Sequence, residues 1–205
     1  MPHHILNPAI LLLAAGMSRR LGRPKQLLDF QGMSLLKRTA TRALQSEIGA
    51  VHVVIGAEKN KIDMELSGMQ VEKIENKEWE EGMASSIRTG LQAAITKNPS
   101  IDGILILVCD QPEITAVLLQ KLMTLQADSG AAVVASAYGG ILGTPALFHS
   151  SLFHELLGLR GDTGARKIMQ THWTDVAQLP FEAGSQDIDT ESDYQQWMIQ
   201  SKQQA

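Results

Sequence analysis

Along the chain, short and almost unbroken apolar runs alternate with longer stretches in which apolar residues recur every three or four positions. Residues 9–13 are too few to span a membrane and too continuously apolar to be half exposed, which predicts a central strand covered on both faces. Leu35, Leu36, Thr39, Ala40, Ala43 and Leu44 then recur at helical spacing, with Lys37, Arg38, Arg42 and Gln45 between them, predicting a helix packed on a sheet. Residues 51–55 form a β-branched run closed by Gly56, residues 71–74 alternate like a more exposed strand, and a polar helical segment over 58–66 joins the two. Strand, helix, strand, helix, strand is the α/β pattern with parallel pairing. Farther on, Ile87, Leu91, Ala94 and Ile95 mark a helix that begins after Gly82, and residues 104–108 form a second continuous apolar run, hence another central strand. A helix over 118–125, a strand over 131–137, a glycine-bearing hairpin or closely approached loop over 138–148, a helix over 165–170, a short strand over 176–179 and a terminal helix complete the pattern.

The chemistry gathers where the apolar runs stop. After Leu13 come Ala14, Ala15 and Gly16, whose small side chains let a ligand lie against backbone N–H groups, and Arg19, Arg20, Arg23 and Lys25 follow closely. This is the composition of a polyphosphate cradle, although its spacing is neither that of a P-loop nor that of a three-glycine dinucleotide fingerprint. The second central run ends in Cys109, Asp110, Gln111 and Pro112. A carboxylate there stands at the mouth of an open parallel sheet, where a hard oxygen ligand suits Mg²⁺ bound to phosphates, while spacing alone also allows Asp110 to cap a helix beginning near Glu113. Ser85 and Ser86 fall in the first turn of the helix after Gly82, where free N–H groups favour an anion; simple capping by Ser85 is the alternative. Asp162 and Thr163 read as caps of the helix over 165–170, and Arg166 offers that helix's cation to an anionic acceptor. Asp187 and Asp189 alternate about Ile188 in an extended stretch, which points both carboxylates the same way and makes one of them a second Mg²⁺ ligand; Thr190 with Asp193 reads as a capping box.

Composition narrows the picture. A chain of 205 residues with 44% apolar and 20% charged residues, and no linker-like run, predicts one globular domain over 1–205, and a net charge of -4 speaks against a general nucleic-acid binder. Ser18-Arg19-Arg20 follows an apolar stretch instead of preceding one, the wrong order for a twin-arginine signal. The single cysteine, Cys109, allows no intramolecular disulfide, so the expected location is cytoplasmic, with no membrane partner. His3, His4, His52, His149, His154 and His172 show no zinc-ligand spacing.

The segment 13–28 resembles the L-A-A-G-x-S-x-R-x-G-x-P-K-x-L-L motif of MobA-like nucleotidyltransferases. Four further stretches fall in that family's order: Gly82-Met83-Ala84-Ser85-Ser86-Ile87-Arg88-Thr89-Gly90-Leu91, Asp110-Gln111-Pro112, Gly161-Asp162-Thr163-Gly164-Ala165-Arg166 and Asp187-Ile188-Asp189-Thr190. Gly143-Thr144-Pro145 departs from it, because relatives often carry histidine where Thr144 stands. The likeness is strongest to the molybdenum cofactor cytidylyltransferase branch, which includes xanthine dehydrogenase accessory proteins of purine catabolism. It implies a Rossmann-like three-layer fold, with a mostly parallel central sheet and helices on both faces. It implies transfer of CMP from CTP to the phosphate of molybdopterin, with release of pyrophosphate. Leu13, Ala14, Ala15, Gly16, Arg20, Lys25, Ser85 and Ser86 would bind the nucleotide, Asp110 with Asp189 (or Asp187) would hold Mg²⁺, Arg20, Lys25 and Asp110 would carry catalysis, and Arg166 would meet the acceptor. A molybdoenzyme or its maturation factor would be the protein partner. Another NTP, a sugar or alcohol phosphate acceptor, or a non-catalytic cofactor carrier are the alternatives. Guanylyl-transferring relatives read L-A-G-G where this chain has Leu13-Ala14-Ala15-Gly16, so the Ala15 methyl stands where a two-ring base needs room.

Overall fold

A computed structural model describes residues 5–18 and 20–203, with side chains as far as Gln200; His3, His4 and Arg19 lie outside the described residues. In chain order the elements are β1 (Pro8–Ala14), the two-residue strands β2 (Asp29–Phe30) and β3 (Met33–Ser34), α1 (Leu35–Gln45), β4 (Val51–Ile55), α2 (Lys59–Glu65), β5 (Glu72–Glu75), α3 (Met83–Lys97), β6 (Gly103–Val108), α4 (Ala116–Ser129), β7 (Val133–Tyr138), β8 (Ile141–His149), α5 (Phe153–Gly158), α6 (Arg166–Thr171), β9 (Val176–Pro180) and α7 (Glu191–Gln203). A seven-stranded sheet runs β5-β4-β1-β6-β8-β7-β9. All its neighbours are parallel except β8, which lies antiparallel between β6 and β7. This is the parallel pairing expected of the α/β pattern, in the mostly parallel, Rossmann-like arrangement that the family resemblance implies.

The unbroken apolarity of β1 follows from having two cores to fill. Ala9, Leu11 and Leu13 point to one face and pack with Ile87 and Leu91 of α3, Leu156 of α5 and Ile168 of α6. Ile10, Leu12 and Ala14 point to the other and pack with Leu36 and Ala40 of α1, Ile62 of α2 and Leu119 of α4. Each fully buried aliphatic side chain here contributes about 1.5–3 kcal/mol of transfer free energy. By contrast β5, with Glu72, Lys73 and Glu75 exposed, forms a charged sheet edge. Gly90 lets α3 lie close on the sheet, since a Cβ there would come within 2.2 Å of Leu11 Cδ1.

Three local alternatives left open by the sequence are decided. Residues 141–149 form a full antiparallel strand, entered through Gly139 and Gly140, whose φ values of 53° and 74° give the twist of a type I′ hairpin. Asp110 does not cap a helix: α4 starts later, at Ala116, and Thr115 caps it by accepting from the Leu118 N–H at 3.1 Å. Nor do Asp162 and Thr163 cap α6, whose first turn follows Ala165 without a side-chain cap. Asp162 instead accepts from the Met83 N–H, at 3.5 Å, at the start of α3. The capping box before α7 forms as read: Asp193 accepts from the Thr190 N–H at 2.7 Å, and the Asp193 N–H donates to Thr190 Oγ1 at 3.2 Å.

Candidate active site

Chain β1 crosses to β4 on one side, and β6 returns on the other. The ends of β1 and β6 therefore flank a topological switch point, the place where open α/β sheets leave a crevice. A cleft of about 540 Å³ lies there, walled by Leu13–Ser18, Trp79–Met83 and Val108–Asp110, with Lys25, Asp162 and Asp189 at its rim.

The loop after β1 is shaped by Gln26, which is 2% exposed. Its Nε2 donates to the Ala14 carbonyl at 2.9 Å and to the Gly16 carbonyl at 2.6 Å. Ser18, at φ 55°, donates to Gln26 Oε1 at 3.4 Å and accepts from the Lys25 N–H at 3.1 Å, closing the loop on itself. The Ala15 carbonyl accepts from the Ala57 N–H at 2.9 Å. These bonds engage the carbonyls of Ala14, Ala15 and Gly16, and the same three residues line the cleft. A Cβ on Gly16 would meet no protein atom, so the space over it belongs to the cleft.

Charge is concentrated at the rim. The Lys25 ammonium is ion-paired with Asp110 Oδ2 and, at 3.0 Å, with Asp189 Oδ1; Arg20 meets Asp189 Oδ2 at 2.8 Å. Burial by itself lowers the pKa of Lys25, but the Asp110 carboxylate outweighs it and holds the ammonium charged well above the ordinary lysine range. Arg23 is turned away, on Glu191 at 2.7 Å and over the Tyr194 ring. Asp187 reaches solvent, yet loss of water on its inner side and the neighbouring Asp110 carboxylate push it up to about 6, against a hydrogen bond with Gln111. Burial and Asp110 push the Cys109 thiol up to about 12, which makes it unreactive at neutral pH.

Asp110 Oδ1 is buried and has no hydrogen-bond partner. A buried carboxylate oxygen with free lone pairs is costly unless something else binds it. Among the described residues no three His, Cys, Asp or Glu side chains are grouped closely enough to hold a metal. The set nevertheless fits a hard divalent ion of the Mg²⁺ kind, which takes one or two carboxylates and completes its shell with water and substrate phosphates. Asp110 and Asp189 are the two carboxylates that meet at Lys25, and Asp187 stands next to them.

Not every expected residue reaches the cleft. Ser85 is fully buried; its hydroxyl donates to the Gly82 carbonyl at 2.9 Å and accepts from Asn76 Nδ2 at 2.8 Å, so it does structural work and lies outside the cleft lining. Ser86 does line the cleft, held by Asn76 Nδ2 at 3.0 Å. The first N–H groups of α3 are already met by the 161–162 segment, the Ala84 N–H donating to the Gly161 carbonyl at 3.2 Å. Glu81 fastens that segment, accepting from both Arg88 amino groups and from the Gly161 N–H; these bonds hold its carboxyl down at about 2. Arg166 is exposed on α6 and is not among the lining residues. Thr144 donates to Gln111 Oε1 at 3.2 Å, and Gln111 Nε2 donates to Tyr138 Oη at 3.1 Å and to the Gly184 carbonyl at 3.0 Å. Gln26, Asn76 and Gln111 are buried amides that the sequence reading assigns no role, and their one signal is an amide next to a strand end or a run of small residues; Trp79 carries no such signal.

A small-residue loop lining the cleft after β1 and an acid after β6 agree with the family model that matches residues 10–176, the MobA-like NTP transferase domain. The chain belongs to that family. It is a nucleotidyltransferase by kinship. Purine catabolism protein PucB of Bacillus subtilis (strain 168) is 30% identical over 169 residues, which is 78% of this chain and 80% of PucB. Nicotine blue oxidoreductase of Paenarthrobacter nicotinovorans is 30% identical over 194 residues, 88% of this chain and 91% of that protein. Among solved structures, Rv0371c of Mycobacterium tuberculosis H37Rv superposes with a TM-score of 0.81 at 24% identity, covering 96% of this chain and all of that one. A structure of Rv0371c in complex with manganese gives 0.74 at 22% identity over 94% of this chain and 98% of that one. No helix among the described residues is long and apolar enough to cross a membrane.

Proposed function

We propose that this MobA-like transferase moves CMP from CTP to the terminal phosphate of a molybdopterin-type cofactor, in the cytoplasm, in support of a xanthine dehydrogenase-type molybdoenzyme. The observation that carries the reading is Asp110: a buried, unpartnered Oδ1 beside a Lys25 ammonium, at the mouth of the sheet. The likeness to PucB, a purine catabolism protein, supports the acceptor, and the manganese-bound Rv0371c structure supports a divalent ion.

An acceptor phosphate monoester has a second pKa near ~6 and is largely dianionic at neutral pH, so in-line attack on the α-phosphorus needs no general base. The new bond joins an acceptor oxygen to the α-phosphorus. The bond from the α-phosphorus to the bridging oxygen breaks, and pyrophosphate leaves with the electron pair. What this chain supplies is position and charge. Arg20 and Lys25 neutralise the triphosphate and its leaving group, the loop of Ala14–Gly16 seats the phosphates, and Asp110 with Asp189 would hold the metal. When bound, the ion adds charge neutralisation at the phosphates.

The test is to incubate the protein with each NTP, Mg²⁺ or Mn²⁺ and molybdopterin-containing cofactor, and to measure pyrophosphate. CTP- and acceptor-dependent release is expected, and Asp110→Ala should reduce it on the order of 10²–10³ fold while its circular dichroism stays unchanged. Release with no acceptor dependence, or a folded Asp110→Ala protein of normal rate, would overturn the reading. Because one relative is named an oxidoreductase, oxidation of reduced nicotinamide dinucleotide is followed in parallel, and none is expected.

A further inference from the structure

The Lys25 ammonium occupies a position that its role toward a triphosphate does not require. It lies between Asp110 and Asp189, bonded to both, and Arg20 covers the remaining Asp189 oxygen. The cations that should greet the phosphates are thus already spent on the carboxylates that should greet a metal. We propose that Lys25 is a resident cation in the metal position, displaced only when a metal and a triphosphate arrive together. This rests on the reading of the cleft as the site of a metal–triphosphate complex, and it assigns to that site an obligatory coupling between its two ligands.

Charge counting gives the reason. Asp110 and Asp189 carry two negative charges, and Lys25 and Arg20 carry two positive ones, so the cluster is balanced in pairs. A divalent ion entering alone adds two positive charges to a balanced group and pushes the ammonium, whose side chain is only 21% exposed, away from its anions. A triphosphate entering alone draws off Lys25 and Arg20 and strands two carboxylates, one of them 16% exposed and already short of a partner at Oδ1. If both enter, the partners exchange: the ammonium and guanidinium pass to phosphate oxygens and the metal passes to the carboxylates. Neither the carboxylates nor the two protein cations are then left without a partner of opposite charge. The backbone permits the exchange, because the Lys25 N–H is tied to Ser18 Oγ and the turn Lys25–Leu27 is anchored through Gln26, so only the lysine side chain has to swing. Arg23 does not compete, being engaged with Glu191. Asp187, the third carboxylate nearby, increases the negative potential that the resident ammonium offsets.

Coupling of this kind is reciprocal: the factor by which triphosphate raises metal affinity equals the factor by which metal raises triphosphate affinity, typically ~5–150 fold. Mn²⁺ binding is therefore measured by electron paramagnetic resonance on the nucleotide-free protein, in wild type, Lys25→Met and Lys25→Met/Asp110→Asn. Lys25→Met should bind Mn²⁺ at least about tenfold more tightly than wild type, and the double variant should lose that gain. Mn²⁺ should also raise the melting temperature of Lys25→Met and leave that of wild type unchanged. Equal Mn²⁺ affinity in wild type and Lys25→Met would overturn the proposal. If Lys25→Met does not fold without metal, wild type decides: Mn²⁺ alone and CTP in chelator should each bind more weakly than the two together, after correction for Mn²⁺–CTP in solution, and independent binding would overturn it. No acceptor and no turnover enter these titrations. A failure of the cytidylyl reading in the pyrophosphate assay would leave the exchange standing, and equal Mn²⁺ affinities would leave that reading untouched.

Discussion

The methyl group of Ala15 is nearly buried and lines the cleft. If it is what disfavours a two-ring base, Ala15→Gly should relax a wild-type preference for CTP over GTP without reversing it, because excluding a methylene-sized overlap gives only roughly 10–200 fold discrimination. Parallel kcat/KM values for both nucleotides decide this, and an unchanged ratio in the variant would remove Ala15 as the cause. Asp187 makes a second prediction. A carboxyl whose pKa rises from 3.8 to about 6 on folding binds its proton more tightly in the folded chain, so the stability it contributes is full below 3.8, is lost as the pH rises from there through about 6, and changes no further above that. Asp187→Asn should therefore be the more heat-stable protein at pH 7.5 without metal, and its advantage should shrink as the pH falls to 4. A constant difference across that range would refute the assignment. Residues of this kind were readable as charges placed where apolar runs end. Their partners were not: nothing local to Lys25 tells that its ammonium will meet Asp189 at 3.0 Å, and the sequence reading of Lys25 named a phosphate in its place.

Among the elements, the junction of β6 with the last third of the chain depends on one buried amide. Gln111 ties together Tyr138 at the end of β7, Thr144 in β8, the Gly184 carbonyl and Asp187. The Ile188 N–H bonds the Asp110 carbonyl at 3.0 Å, so the whole 184–189 segment is seated against the residues that follow β6. Gln111→Leu would leave several buried polar groups unpaired, each costing about 1–3 kcal/mol. It should unfold at lower urea concentration and lose turnover, whereas a mere surface amide would change neither. The strand and helix types were legible in the periodicity of residues 9–108, where each βα unit repeats the last. The direction of β8 was less so, because glycines at 139 and 140 serve a loop as well as a hairpin, and only pairing on both sides shows a strand. Ser85 misled for a similar reason. Its position in the first turn of α3 suits an anion, but the neighbouring Asn76 and Gly82 use up its hydroxyl.

For the molecule as a whole, the sheet is built from two kinds of connection. β1, β4 and β5 pair with near neighbours in sequence, whereas β6 comes back to the free side of β1 and β8 fits between β6 and β7. The cleft draws on the first kind for Lys25 and on the second for Asp110 and Asp189. It follows that the cluster doubles as an internal clock of assembly. Local βα units close early and long-range pairings late, since loop-closure entropy must be overcome before distant contacts form. The early half would carry Arg20 and Lys25 with nothing to neutralise them, and the three-way meeting with Asp110 and Asp189 can occur only when the final segment docks. In a refolding experiment on a Trp173→Phe/Trp197→Phe protein, followed by Trp79 fluorescence and by Mn²⁺-dependent CTP binding, the second signal should trail the first and coincide with the slowest phase. Competence to bind would then be a property that no partly folded form of this chain possesses.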